Sequence, residues 1–226
     1  FFHGPDCCTA SGHRIISLLP TFFFAENKDN FFINQYLPCQ YIGKDFGFEI
    51  TGNYPESEHI EVQITSAAPK KKTINLRIPQ WCQSPRVSVN GKQVEAPRSG
   101  SYLELTGKWT KGDKINITLP MQLRWEQREN HSNYVYRTLP GGERMYTEEA
   151  TDKIPYTLTR GPVIYSVDMV WNKHLCNNDT NLDKDLRLNT TSLPVEIAKP
   201  GANLMGPVYK AKGLYKKSEA EIILTP

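Results

Sequence analysis

Cys7 and Cys8 stand side by side in His3-Gly4-Pro5-Asp6-Cys7-Cys8-Thr9, and any chemistry this chain performs is expected at that end. Neighbouring Cα atoms lie about 3.8 Å apart across a trans peptide, whereas an unstrained disulfide wants roughly 4.4–6.8 Å, so mutual pairing is disfavoured. Three readings stay open on chemistry alone: two thiols directed at one metal, a reactive thiolate beside a spectator, or two inert buried cysteines. The other three cysteines, Cys39, Cys82 and Cys176, are far apart, so neither a disulfide framework nor a CxxC metal knuckle can be read.

Other residues that could do chemistry have commoner structural roles. His3 and His13 lie close to the thiols and are read as surface or packing histidines. Trp81, Trp109, Trp125 and Trp171 could stack on sugar rings but are read as packing residues. Glu148, Glu149 and Asp152 cluster in a polar stretch and are read as solvated rather than as a carboxylate pair. Arg160-Gly161-Pro162 reads as a turn. No residue is assigned to an organic cofactor.

The elements that must position the thiols follow from periodicity. Ile15, Leu18, Leu19 and Phe22 fall at helical spacing between Ser11 and Phe24, with Ser11 as the cap and Pro20 as a kink. Beyond Asn30 the period becomes two, in runs at 31–37, 46–50, 60–64 and 74–78. Asn90-Gly91 between Val87-Ser88-Val89 and Lys92-Gln93-Val94 marks a hairpin. Runs at 102–105 and 114–119 complete strands spaced as in a β-sandwich. Residues 120–160 read as a less regular stretch with a long exposed loop, followed by strands at 156–159 and 162–167, a polar segment at 172–191 and a last strand at 220–224.

The expected fold is therefore mainly β: residues 1–27 form a loop and helix, 28–119 a first β-sandwich, 120–204 a second β-sandwich, and 205–226 strands returning to the first. Lys and Arg number 27 against 24 Asp and Glu, and the one basic run, Lys70-Lys71-Lys72, is too short for a nucleic-acid footprint and reads as a solvated turn. No nucleic-acid partner is expected. No stretch approaches the roughly 20 apolar residues that span a bilayer, so no membrane partner is expected and the chain reads as soluble, cytoplasmic or periplasmic/secreted. Four glycosylation-type sequons, at Asn116, Asn130, Asn178 and Asn189, matter only on a eukaryotic secretory route. The start at Phe1-Phe2 and the stop at Thr225-Pro226 read as those of a fragment.

Taken in order, a set of short motifs resembles glycoside hydrolase family 127, founded on β-L-arabinofuranosidase, in its C-terminal portion. The set is Asp6-Cys7-Cys8 ahead of a helix with Arg14, Asn53-Tyr54-Pro55, Leu76-Arg77-Ile78-Pro79-Gln80-Trp81, Val89-Asn90-Gly91 and Tyr102. It continues with Trp109-Thr110-Lys111-Gly112-Asp113, Leu119-Pro120-Met121 and Arg160-Gly161-Pro162-Val163-Ile164-Tyr165. The resemblance implies an (α/α)6 barrel, largely absent here, followed by two β-sandwiches. It implies that Cys7 is the nucleophile of a retaining glycosidase and that Cys7 and Cys8 both bind a zinc ion (Zn2+), whose other ligands, a glutamate and a third cysteine, lie upstream with the acid/base glutamate. Its implied substrate is a plant-derived oligosaccharide bearing arabinofuranosides or related sugars, and a homodimer is one assembly it allows. Thr9-Ala10-Ser11-Gly12-His13-Arg14 departs from the Pro-Pro-Asn that commonly follows the pair, leaving the sugar open. The alternative reading is a non-catalytic β-sandwich module for structural support, dimerisation or carbohydrate contact, which the isolated 226 residues favour.

Overall fold

The computed structural model describes residues 6–95, 98–127, 132–138, 141–142, 144–150, 156–168, 170–176, 186–197 and 206–226, with the backbone alone at 6–10, 132–138, 144–150 and 176. The chain divides into two compact units, Phe1–Met121 and Gln122–Pro226.

The first unit opens with helix α1 (Asp6–Leu18) and a 3-10 turn (Leu19–Phe22). The helix begins five residues before the expected cap, since nothing in Cys7-Cys8-Thr9-Ala10 breaks it. Ser11 is thus internal, its hydroxyl accepting a hydrogen bond from Arg14 at 3.2 Å. Pro20 sits where a missing N–H costs least, in the first turn of the 3-10 segment rather than at a kink.

Ten strands follow: β1 (Phe24–Glu26), β2 (Asn30–Ile33), β3 (Cys39–Ile42), β4 (Phe46–Gly52), β5 (His59–Ala67), β6 (Lys71–Arg77), β7 (Arg86–Val89), β8 (Lys92–Val94), β9 (Tyr102–Lys108) and β10 (Lys114–Thr118). They form a four-stranded sheet in the order β1-β2-β6-β9 and a six-stranded sheet in the order β3-β4-β5-β10-β7-β8. All pairings are antiparallel except β2 with β6, which run parallel from Asn30 opposite Thr73 to Ile33 opposite Leu76. Alternate residues of both sheets enter one core, with Phe31, Ile33, Phe48, Ile64, Leu76 and Ile115 fully buried. An aromatic knot stands in it: Phe31 lies 4.7 Å from Tyr41 and 5.1 Å from Phe48, ring centre to ring centre.

Two of the sequence motifs lock to each other. The Asn90-Gly91 turn has positive φ at both residues, 49° and 79°, as a two-residue hairpin requires. The Asn90 amide donates to Asp113 Oδ1 and accepts from the Lys114 N–H, both at 2.9 Å. Asp113 Oδ2 in turn accepts from the Thr110 N–H at 2.7 Å, closing the β9–β10 turn. The basic run departs from expectation. Lys71 and Lys72 open β6, and the alternation that buries Ile74 and Leu76 also takes Lys72 inward, leaving its side chain 8% exposed.

The second unit holds β11 (Leu123–Gln127), β12 (Ser132–Thr138), β13 (Arg144–Ala150), β14 (Tyr156–Arg160), β15 (Val163–Val167), a short helix α2 (Lys173–Cys176), β16 (Leu186–Leu188), β17 (Val195–Ile197), β18 (Val208–Tyr215) and β19 (Ser218–Thr225). Its main sheet runs β11-β14-β15-β19-β18-β16, with β17 also on β18, and β12 pairs with β13 separately. Leu158, Tyr165, Tyr209, Ala211, Ile222 and Leu224 make its core. Residues 205–226 were expected to return to the first sandwich. Instead β18 and β19 belong to the second unit, because β19 pairs with β15 (Val167 opposite Leu224) and its buried residues Ile222 and Leu224 join the core of Tyr165. The stretch expected to hold a long loop contains β11, β12 and β13.

The β18–β19 hairpin turns through Lys216 and Lys217, both with positive φ, 49° and 67°. A left-handed lysine costs roughly 1 kcal/mol that glycine avoids, so Lys217→Gly is expected to raise unfolding stability by about 1 kcal/mol in a denaturant titration; an unchanged or lower midpoint contradicts this.

Candidate functional site

The backbone places Cys7 and Cys8 at the second and third positions of α1, in its first turn. At the start of a helix the first N–H groups lack intrahelical partners and the helix dipole is positive. The helix is tied to the sandwich through its exit. Asn34 donates its backbone N–H to Phe23 O at 2.8 Å and its side-chain amide to Phe22 O at 3.3 Å, fixing the turn that joins α1 to β1. Along α1 and this turn Ile15, Ile16, Leu18, Leu19 and Phe22 are exposed.

His13 lies on α1 and is exposed, whereas His3 and Asp152 fall outside the described residues. Glu148 and Glu149 are on strand β13 rather than in a loop. Trp109 is buried and donates its indole N–H to Lys72 O at 3.0 Å, and Trp81 packs against the same core. Trp125 donates to Ser192 O at 3.0 Å, and Trp171 is exposed. Arg160-Gly161-Pro162 turns β14 into β15 with Gly161 at φ 60°. Tyr54 of the Asn53-Tyr54-Pro55 motif packs edge-on to Tyr36, 6.1 Å between centres, and burial pushes its hydroxyl up to about 12 against the opposing Arg77 charge. That motif is therefore structural and neutral.

Among the sequons, Asn116 lies on β10, and the exposed Asn189 accepts hydrogen bonds from the backbone N–H and hydroxyl of Thr191 at 2.9 and 2.6 Å. Asn130 and Asn178 are outside the described residues. Cys39 and Cys82 are free thiols, and burial pushes both above the ordinary thiol range, so neither is a ready nucleophile. Among the described residues no group of three or more His, Cys, Asp or Glu side chains is arranged to hold a metal ion, and no helix is long and apolar enough to cross a membrane.

The first unit is a two-sheet sandwich and the second is mainly β. Residues 30–121 match the family model described as β-L-arabinofuranosidase, GH127 middle domain, and on that segment the resemblance of this chain to glycoside hydrolase family 127 rests. No curated protein matches the chain. Among solved structures, a GH127 β-L-arabinofuranosidase from Geobacillus stearothermophilus T6 matches 97% of this chain and 34% of its own at 20% identity and a TM-score of 0.66. A second GH127 β-arabinofuranosidase matches 97% of this chain and 35% of its own, with 20% identity and a TM-score of 0.67. A further glycoside hydrolase matches 100% and 39%, with 15% identity and a TM-score of 0.70. At these identities the likeness shows the fold, and the chain spans between a third and two-fifths of the length of these proteins.

The thiol environments make a direct prediction. In native protein at pH 7.5, iodoacetamide followed by peptide mass spectrometry is expected to leave Cys82 unmodified and to label Cys39 slowly, with both labelled in urea. Rapid native labelling of Cys82 would contradict its burial.

Proposed function

We propose that this chain is part of a retaining glycoside hydrolase acting on arabinofuranosides or related plant-glycan sugars, with Cys7 as nucleophile and Cys7 and Cys8 as zinc ligands. The observation that carries the reading is the match of residues 30–121 to the GH127 middle domain, directly downstream of a helix whose first turn holds both cysteines. The donor set fits zinc in part: thiolates suit the ion, and a four-coordinate site needs two donors more, expected outside these residues with the acid/base glutamate. Zinc when bound favours the deprotonated form of the sulfur.

In this reading the Cys7 sulfur attacks the anomeric carbon as the bond to the leaving oxygen breaks. A carboxylic acid donates its proton to that oxygen. Water, deprotonated by the resulting carboxylate, then displaces the sulfur, so two inversions retain configuration. Helix α1 carries both cysteines, and the sandwich anchors the helix through Asn34. The exposed apolar residues of α1 support the reading as well, since further helices of a barrel would cover them.

In the whole protein, Cys7→Ser is expected to reduce hydrolysis of an aryl β-L-arabinofuranoside to background while the circular-dichroism spectrum stays unchanged, and the 226-residue chain alone is expected to show no turnover. Wild-type rates in the variant, or turnover by the chain alone, would overturn the assignment.

A further inference from the structure

Strand β9 is a free edge of the four-stranded sheet. Of the edge strands in the first unit, β1 and β8 have three residues each, β3 has four and β9 has seven. It contains no proline, and its register with β6 runs without a bulge from Lys71 opposite Lys108 to Arg77 opposite Tyr102. A long, regular edge presents a row of peptide groups that another strand can take up. Their direction follows from β6. Thr73 donates its N–H to Asp29 O on the β2 side at 2.9 Å, so Lys72, Ile74 and Leu76 turn their peptide groups to Gly107, Leu105 and Leu103. The N–H and C=O groups of Tyr102, Glu104, Thr106 and Lys108 therefore point away from the sheet.

The side chains of this edge complement themselves under a two-fold axis. When a second β9 lies antiparallel with Thr106 opposite Thr106, Glu104 falls opposite Lys108 on both sides of the axis, and each of these pairs can exchange backbone hydrogen bonds. Glu104 and Lys108 are both exposed, and neither makes an ion pair among the described residues. Centring the axis on Leu105 pairs no opposite charges, and centring it on Glu104 sets carboxylate against carboxylate, which is unfavourable in directly opposed positions. On the other face of the strand the Thr106-centred register puts Leu105 opposite Gly107. A Cβ at Gly107 would meet nothing within 4 Å, so the partner's Leu105 has room there. The flank of the sandwich beside β9 is a depression of about 620 Å³, lined by Val89, Val94, Leu103, Leu105 and Trp109 among others, which a second strand would cover.

We propose that the partner of this edge is a second copy of the same chain: two β9 strands join about a two-fold axis at Thr106, with Glu104 facing the partner's Lys108 on each side. The contact is isologous and closes on itself, so it makes a dimer and not a filament. Backbone hydrogen bonds hold the two strands together, as in other strand additions, while the charges select the register. The inference rests on the sandwich and not on the cysteine chemistry, so either can fail without the other.

The test is sedimentation equilibrium of the purified whole protein over a concentration series at low ionic strength. A monomer–dimer equilibrium is expected. Thr106→Pro removes the central outward N–H and is expected to leave only monomer, since proline is tolerated on the open side of an edge strand. It also removes the hydrogen bond between the Thr106 and Thr73 hydroxyls, so the charge variants decide the matter if it does not fold. Glu104→Lys sets like charges opposite each other and is expected to weaken dimerisation about tenfold. Glu104→Lys combined with Lys108→Glu restores the pairing in reverse and is expected to return the dimer to wild-type affinity. A monomer at every concentration, as when another segment of the whole protein occupies the edge, overturns the proposal. So does a dimer that Glu104→Lys leaves unchanged or that the double reversal fails to restore.

Discussion

Two cysteines in consecutive positions of one helical turn are too close to satisfy each other and close enough to serve one third party. That spacing constraint governs the reading of the chain. A thiol pair that cannot readily oxidise to a disulfide keeps its capacity for a metal or an electrophile. The described cysteines further along show the opposite condition: Cys39 and Cys82 lie in apolar surroundings that hold their protons on.

The first sandwich gives that helix a rigid base. Its core is assembled from both sheets, and the aromatic knot around Phe31, Tyr41 and Phe48 joins β2 of one sheet to β3 and β4 of the other. The exit of α1 runs into β1 at the edge of the four-stranded sheet, and β2, interior and paired with β1 and parallel with β6, is followed by Asn34, which holds that exit. At the far edge of the six-stranded sheet, Asn90 and Asp113 bind two turns together and fix the register of β7, β8 and β10.

Much of this was legible in the residues. Asn90-Gly91 announces its hairpin because only residues tolerant of positive φ make that turn, and β4, β5 and β10 announce themselves by alternation. The short strands β1 and β3 were not legible: three or four residues give no period, and the turn between β1 and β2 depends on Asn27 Oδ1 accepting from the Asp29 and Asn30 N–H groups. The partners of β18 and β19 were misjudged because alternation reports that a strand has a buried face but not which sheet receives it. Lys72 was misread for a related reason. A run of three lysines looks solvated as composition, yet its strand period places the third among Ile74 and Leu76. At the thiol site the motif was visible and the start of the helix was not, since a cap at Ser11 looks as good as a helix already under way at Asp6.

The central claim is that the sulfurs of Cys7 and Cys8 hold one zinc ion in the whole protein. Zinc-edge X-ray absorption on the purified whole protein tests it most directly: a first shell dominated by sulfur at about 2.3 Å, losing sulfur in Cys8→Ser, is the predicted result. A shell of nitrogen and oxygen alone, or a sulfur shell unchanged by that substitution, would contradict it.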